Sequence, residues 1–351
     1  MKQSAGVEGG IGASHALKSN EDVAPVIARN GFWIWDSWYV QDSGDYHAFY
    51  LKAPTSLADP DLRHAQARVG HSVSRDLVSW TTLPDALPPG AIGEFDDLAI
   101  WTGSIVRHDD VWHLFYTGVE QRSRTRIQRV GHATSVDLIV WDRVSPTPVT
   151  TADARWYSTA AAPPEFDEPW RDPWVFHSAA DGLWHMLVTA REPDADASLP
   201  GAPTHGSVGH CVSADLFDWQ VAPSLSRHSG FAQLEVLQVL EVAGHHVVVF
   251  CATAQDVIAA GVEAVTATFT APADGPLGPF HFDRAEPIRA AGIYAGRILQ
   301  PADGGPVLLG FVESDADGLF VGVICDPIPL QLTSRGTLQP HSAAEPDRRE
   351  A

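Results

Sequence analysis

The chain is short of the features that mark secreted, membrane-bound and metal-holding proteins. Its 351 residues include three cysteines. Cys211, Cys251 and Cys325 are odd in number, far apart and set in apolar stretches, so they read as reduced core residues, not a disulfide framework. No apolar run in Met1–Asn30 could act as a secretory signal, and no stretch is long enough to cross a bilayer. Together these absences point to the cytoplasm. Positive charge is scarce: 23 Lys and Arg face 44 Asp and Glu, a formal net charge of −21. Such a surface repels nucleic acid and anionic membranes, so neither is expected as a partner. There are 16 histidines but no zinc-type Cys/His spacing and no Asp-x-Asp-x-Asp-Gly calcium loop. A Gly-x-Ser-x-Gly elbow and a phosphate-cradling Gly loop are missing too. No metal and no cofactor is expected. Long helical periodicity is lacking, apart from weak stretches near the termini.

What the chain does have is repetition. Gly-His-x-x-Ser-x-Asp-Leu-x-x-Trp occurs at Gly70–Trp80, Gly131–Trp141 and Gly209–Trp219. Copies spaced about 60 to 80 residues apart indicate one structural unit repeated around a ring or along an array. The Ser and Asp side chains can bond nearby amides to close a turn, and the Trp can pack on a neighbouring sheet. These polar residues are therefore expected to be scaffold.

Ahead of the turns lies a second repeat: a strand, a short Asp/Gly/His turn, and a strand rich in aromatic and β-branched residues. Its first strands are Phe32–Val40, Ile100–Val106, Arg171–Phe176, Leu234–Val239 and Tyr294–Leu299. Five such units predict an all-β fold, a five-bladed β-propeller with four-stranded antiparallel blades. Radial closure disposes of the edges that an open sheet of this size would expose. The propeller is expected over residues 29–334, with residues 1–28 a flexible or peripheral segment and residues 335–351 a tail.

First strands line the central channel of a propeller, and three of them carry an acid: Asp36, Asp172 and Glu235. Blade symmetry points all three at one axial pocket. Converging carboxylates raise one another's pKa, and a pair of them flanking a sugar linkage is the equipment of glycoside hydrolysis. Trp33, Trp35, Trp38 and Trp101 could supply apolar faces to a sugar ring.

The segments around these acids resemble the furanosidase propellers of glycoside hydrolase families 32 and 68. Trp35-Asp36-Ser37-Trp38 is similar to the nucleophile segment of levansucrase-type enzymes, and the Asn-Asp-Pro-Asn of invertase-type enzymes is absent. Trp101-Thr102-Gly103-Ser104 resembles an element of both families, and Arg171-Asp172-Pro173 matches their Arg-Asp-Pro motif. Glu235 stands where the invertase group has its acid/base Glu, but Val236-Leu237 replaces the following Cys-Pro. Tyr294-Ala295-Gly296-Arg297 resembles an element of the last blade. The resemblance implies retaining hydrolysis of β-fructofuranosides, with Asp36 as nucleophile, Glu235 as acid/base and Asp172 holding sugar hydroxyls. It also implies that Trp35, Trp101, Ser104, Arg171 and Tyr294 bind substrate. No C-terminal β-sandwich of the invertase type is expected, which leaves a homo-oligomer open as a way to wall the leaving-group side.

Three other readings remain open at this stage: fructosyl transfer of levansucrase type, an inverting arabinofuranosidase or xylosidase on the same scaffold, and a sugar-binding propeller without turnover. Arg122, Arg124, Arg126 and Arg129 form a basic loop, either solvated or able to take an anion such as a phosphorylated sugar.

Overall fold

Short amphipathic strands joined by tight turns build the same antiparallel unit five times. The computed structural model describes residues 25–341, apart from 124–126, 160–166, 194–204, 227, 291, 303 and 316. Blade one comprises Phe32–Asp42, Asp45–Pro54, Arg68–Ser74 and Thr81–Thr82, paired in sequence order from the channel outward. Blade two follows with Ala99–His108, Val111–Val119, Gln128–Ser135 and Asp142–Arg143. Blade three is Arg171–Ser178, Leu183–Arg191, Gly206–Ser213 and Gln220–Ala222. Blade four is Glu235–Val242, His245–Ala252, Ala267–Ala273 and Glu286–Pro287.

Blade five closes the ring with chain from both ends. Ile293–Leu299, Val307–Ser314 and Phe320–Cys325 take the three inner places, and Pro25–Ile27 pairs antiparallel with Phe320–Cys325 as the outer strand. Beyond Cys325 the chain turns back as Ile328–Leu332, alongside Val307 and Leu308, and ends in Leu338–Pro340. The sheet therefore reaches four residues into the segment expected to be peripheral, and six residues past the expected end of the propeller. Its inner strand, with Val307–Ser314, packs against the inner strand of blade one.

The repeated phrase is scaffold, as its chemistry suggested. Asp76 accepts bonds from the amides of Val78 and Ser79 at 2.9 and 2.6 Å, and Asp137 and Asp215 do the same in the next two blades. Each following Leu is left-handed, and its carbonyl accepts a bond from the indole N–H of the Trp at 3.0 Å. Trp141 sets its edge on Phe49 of blade one, and Trp219 does so on Phe115 of blade two, so the turns also lock neighbouring blades. The Gly of the phrase is required by packing: a side chain at Gly70 or Gly131 would run into the ring of Tyr50 or Tyr116. The His bonds a second His from the adjacent strand at 2.9 Å in all three blades: His47–His71, His113–His132 and His185–His210.

Second strands, flanked by strands on both sides, are buried through their middles; Val111–Val119 and Leu183–Arg191 expose part of their first residue alone. The core is thus distributed between blades, and the channel is left to the inner strands.

Candidate active site

All five inner strands begin with the same irregularity. Pairing slips between Trp35 and Ser37, Trp101 and Gly103, Arg171 and Trp174, Glu235 and Gln238, and Tyr294 and Arg297. A bulge of this kind re-aims a side chain and breaks the simple alternation of faces. Asp36, Thr102, Asp172, Val236 and Ala295 lie at the five slips. Four of them adopt left-handed φ: 33° for Asp36, 57° for Asp172, 54° for Val236 and 48° for Ala295. Directly ahead of them stand Trp35, Trp101, Arg171, Glu235 and Tyr294.

Apart from buried Ala295, both sets converge on one cavity of about 960 Å³ at the end of the channel. Of the residues singled out by sequence, Asp36, Asp172, Glu235, Trp35, Trp101, Arg171 and Tyr294 all line it. Ser104 does not. Past the bulge it faces blade three, where its Oγ accepts the amide of Val175 at 3.1 Å. Two of the proposed aromatic faces are elsewhere as well: Trp38 is buried on Phe49, and Trp33 packs on Phe320. At the basic loop, Gln121 and Gln128 reach the cavity, whereas exposed Arg122 is not part of its wall. Arg129 lies in the third strand of blade two, and Arg124 and Arg126 fall outside the described residues.

The carboxylates are held in three different ways. Thr102 Oγ1 donates a short bond to Asp36 Oδ2, and Asp36 makes no ion pair among the described residues. Asp172 Oδ2 accepts from Thr189 Oγ1 at 2.8 Å and from the Val236 amide at 3.3 Å, with Arg171 Nε at 3.5 Å. Glu235 receives one donor on each oxygen: Arg171 Nη2 at 2.7 Å on Oε1 and the Tyr294 hydroxyl at 2.5 Å on Oε2. Arg171 in turn is fixed by the side-chain carbonyls of Gln128 and Gln233, each at 3.0 Å.

Electrostatics separates the acids further. Asp36, open to the cavity but remote from bulk water, is pushed up to about 7 by burial, against the Thr102 bond and helped by Asp172 and Glu235. Burial also raises Asp172, with Arg171 opposing it. Burial works against the charge of Arg171, but Glu235 and Asp172 outweigh it and keep the guanidinium protonated. Tyr294 is held far above its ordinary value by burial and by Glu235, so its hydroxyl stays a donor.

Part of the wall comes from a segment with no repeat signature, the 3₁₀ helix Pro60–Gln66. Its Arg63 lies over Phe320 at 4.1 Å and over Trp35 at 5.5 Å, and Trp101 Nε1 donates to the His64 carbonyl at 2.8 Å. Asp167 and Glu313 add acids at the side of the cavity. A funnel with clustered carboxylates at its floor, rimmed by indoles and one stacked guanidinium, is shaped to receive a polyhydroxylated ring.

A family model described as Glycosyl hydrolases family 32 N-terminal domain matches residues 36–314, a span that includes every floor residue described above. The chain belongs to glycosyl hydrolase family 32. It is 29% identical over 161 residues to a β-fructofuranosidase, insoluble isoenzyme, of Arabidopsis thaliana, covering 44% of this chain and 26% of that protein. A probable sucrose-6-phosphate hydrolase of Psychromonas ingrahamii is 31% identical over 160 residues, 44% of this chain and 25% of that protein. These matches span about a quarter of the length of the curated relatives. Among solved structures, the inulosucrase from Halalkalicoccus jeotgali bound to kestose superposes with a TM-score of 0.73 at 20% identity, covering 95% of this chain and 96% of that one. That likeness establishes the five-bladed fold over nearly the whole family 32 chain.

Proposed function

We propose that this family 32 propeller hydrolyses β-fructofuranosides, sucrose or short fructo-oligosaccharides, with retention at the anomeric carbon. The observation that carries the reading is the unequal treatment of three carboxylates at one cavity floor. Among the described residues Asp36 makes no ion pair, feels Arg63 only at a distance, and is bonded on one oxygen, which leaves the other to attack the anomeric carbon. Glu235 is oriented on both oxygens by Arg171 and Tyr294, which fixes its direction for exchanging a proton with the leaving oxygen and with water; to act as the acid it takes up a proton on one of those oxygens. Asp172 is buried and held by Thr189 and the Val236 amide, so it can accept bonds from ring hydroxyls that strengthen as positive charge develops on the sugar.

In the first step Asp36 bonds to the anomeric carbon while the glycosidic C–O bond breaks, and the leaving oxygen takes the Glu235 proton. In the second, water gives its proton to Glu235 and its oxygen to the anomeric carbon, releasing Asp36. Sucrose, kestose, inulin and levan, followed by product analysis and by NMR at the anomeric centre, test the reading. Free hexoses with initial retention are expected, and Asp36→Asn should abolish turnover in a folded protein. Inversion would assign the site to single displacement, polymer formation at high sucrose would make sugar the acceptor, and binding without cleavage would leave a lectin-like propeller.

A further inference from the structure

We propose that Arg297, on the channel side of blade five beneath the cavity floor, is a positioning residue that pins the Val236 bulge and through it sets Asp172 and Glu235. The inference rests on the reading of those carboxylates as the reacting groups.

Arg297 is 2% exposed, in the middle of the propeller. Its Nη1 donates to the carbonyls of Val236 and Leu237, at 3.1 and 2.5 Å. No carboxylate among the described residues lies within ion-pair distance of it, its guanidinium lies over Trp174 at 5.1 Å, and among those residues Nε and Nη2 find no hydrogen-bond partner, Arg297 bordering a second cavity of about 210 Å³. Burying a cation without an ion-pair partner is unfavourable, and burial pulls Arg297 down to about 10 against the opposing field of Asp172.

What this arrangement secures lies one bond away. Val236 is β-branched and left-handed, with φ 54°, a conformation that persists only where the surroundings impose it. Its two peptide units are gripped from opposite sides. The N–H points to Asp172 Oδ2 at 3.3 Å, and the C=O points down to Arg297. Glu235, directly ahead of this bulge, inherits its direction from the same pair of contacts. Without Arg297, Val236 can relax toward ordinary extended geometry, withdraw its amide from Asp172 and swing Glu235 away from the leaving oxygen. Removal of the cation also takes favourable potential from Asp172.

The full chain carrying Arg297→Met or Arg297→Lys tests this, with thermal unfolding of each to establish folding. On sucrose, Met is expected to lower kcat about 100-fold while KM moves less than about threefold, the split expected when preorganisation is lost and binding is not. In ¹³C-carboxyl NMR, with Asp172→Asn as the assignment control, the Asp172 titration should move up by about one unit in the Met variant and return in Lys. Lys should restore the rate in part. A folded Met variant with wild-type kcat and an unmoved Asp172 titration overturns the proposal; if Met does not fold, neutral Arg297→Gln takes its place, and a folded Gln variant with both quantities at wild-type values overturns it. Should the wild type cleave no fructoside, the functional reading fails while the titration still decides whether Arg297 acts on Asp172.

Discussion

Glu235 of blade four occupies the position that Arg171 occupies in blade three, one residue ahead of the bulge, and the two side chains meet at 2.7 Å. The three acids are therefore not copies of one symmetric position. Asp36 and Asp172 are equivalents at the bulge itself, whereas Glu235 belongs to the ring of Trp35, Trp101, Arg171 and Tyr294. Pseudo-symmetry thus places a cation in direct contact with the proposed proton donor, whereas the proposed nucleophile has only the more distant Arg63. Arg171 spans Gln128, Gln233 and Glu235 with its planar fork, a geometry that an ammonium cannot reproduce. Arg171→Lys is expected to lower kcat/KM on sucrose by about 100-fold, with the larger share in kcat. Steady-state kinetics checks this, and a loss confined to KM would assign Arg171 to substrate binding alone.

The acid limb of the pH–rate profile should report Asp36. Its carboxyl must be ionised to attack, and it is pushed up to about 7, so kcat/KM of the free enzyme should fall as the pH drops below that value. Thr102 donates to the charged form and holds this value down. Thr102→Val keeps the side-chain volume and removes the donor, so the limb should move up by about one unit. An unmoved limb in a folded Thr102→Val protein would assign it to another group.

The same burial makes Asp36 a burden on stability at alkaline pH. A carboxyl raised from 3.8 to about 7 binds its proton more tightly folded than unfolded, so the native state gains stability as pH falls from about 7 to about 4 and loses it as pH rises through 7. Asn carries no charge and avoids the loss. Asp36→Asn should therefore raise the urea midpoint at pH 8 and change it little at pH 4, with an upper limit of about 4 kcal/mol from a shift of roughly three units. Equal stabilisation at both pH values would point to packing instead of ionisation.

Much of this architecture was legible because the chemistry repeats. The Ser-x-Asp turns fix the outer halves of three blades, and the aromatic hairpins count all five. The acids were legible as channel residues for the same reason. Ser104 was expected in the cavity from the resemblance of its motif alone; the bulge at Thr102 resets the two-residue alternation, and Ser104 lies between blades. Arg63 and His64 escaped notice because they stand on the 3₁₀ helix Pro60–Gln66, which carries neither of the repeated sequence phrases. The closing strand Pro25–Ile27 is three residues long and begins with Pro, too short for any alternation to show. Its place is dictated from across the ring, by the open edge of Phe320–Cys325.

The three histidine couples predict how the propeller fails in acid. His71, His132 and His210 are pushed down to about 3, 3 and 4, by burial first and by the neighbouring histidine second. Each is neutral in the native state, where a ring nitrogen of one member must donate to the other; His71 and His132 also stack on Phe49 and Phe115. Unfolded, they titrate near 6.5, so the unfolded chain binds more protons below that pH. The stability they contribute is complete above 6.5 and is lost as pH falls toward 4. Two pH units across that window amount to about 2 to 3 kcal/mol for each couple, and three couples outweigh the opposing gain of at most about 4 kcal/mol from Asp36. The net loss of about 2 to 5 kcal/mol is a substantial part of the stability of an ordinary domain, about 5 to 15 kcal/mol. Urea unfolding should therefore show a midpoint that drops steeply between pH 6.5 and 4.5, well above the range where the turn aspartates protonate. His71→Asn, although less stable at pH 7.5, should show a shallower drop. An identical pH slope in that variant would show that acid sensitivity arises outside the couples.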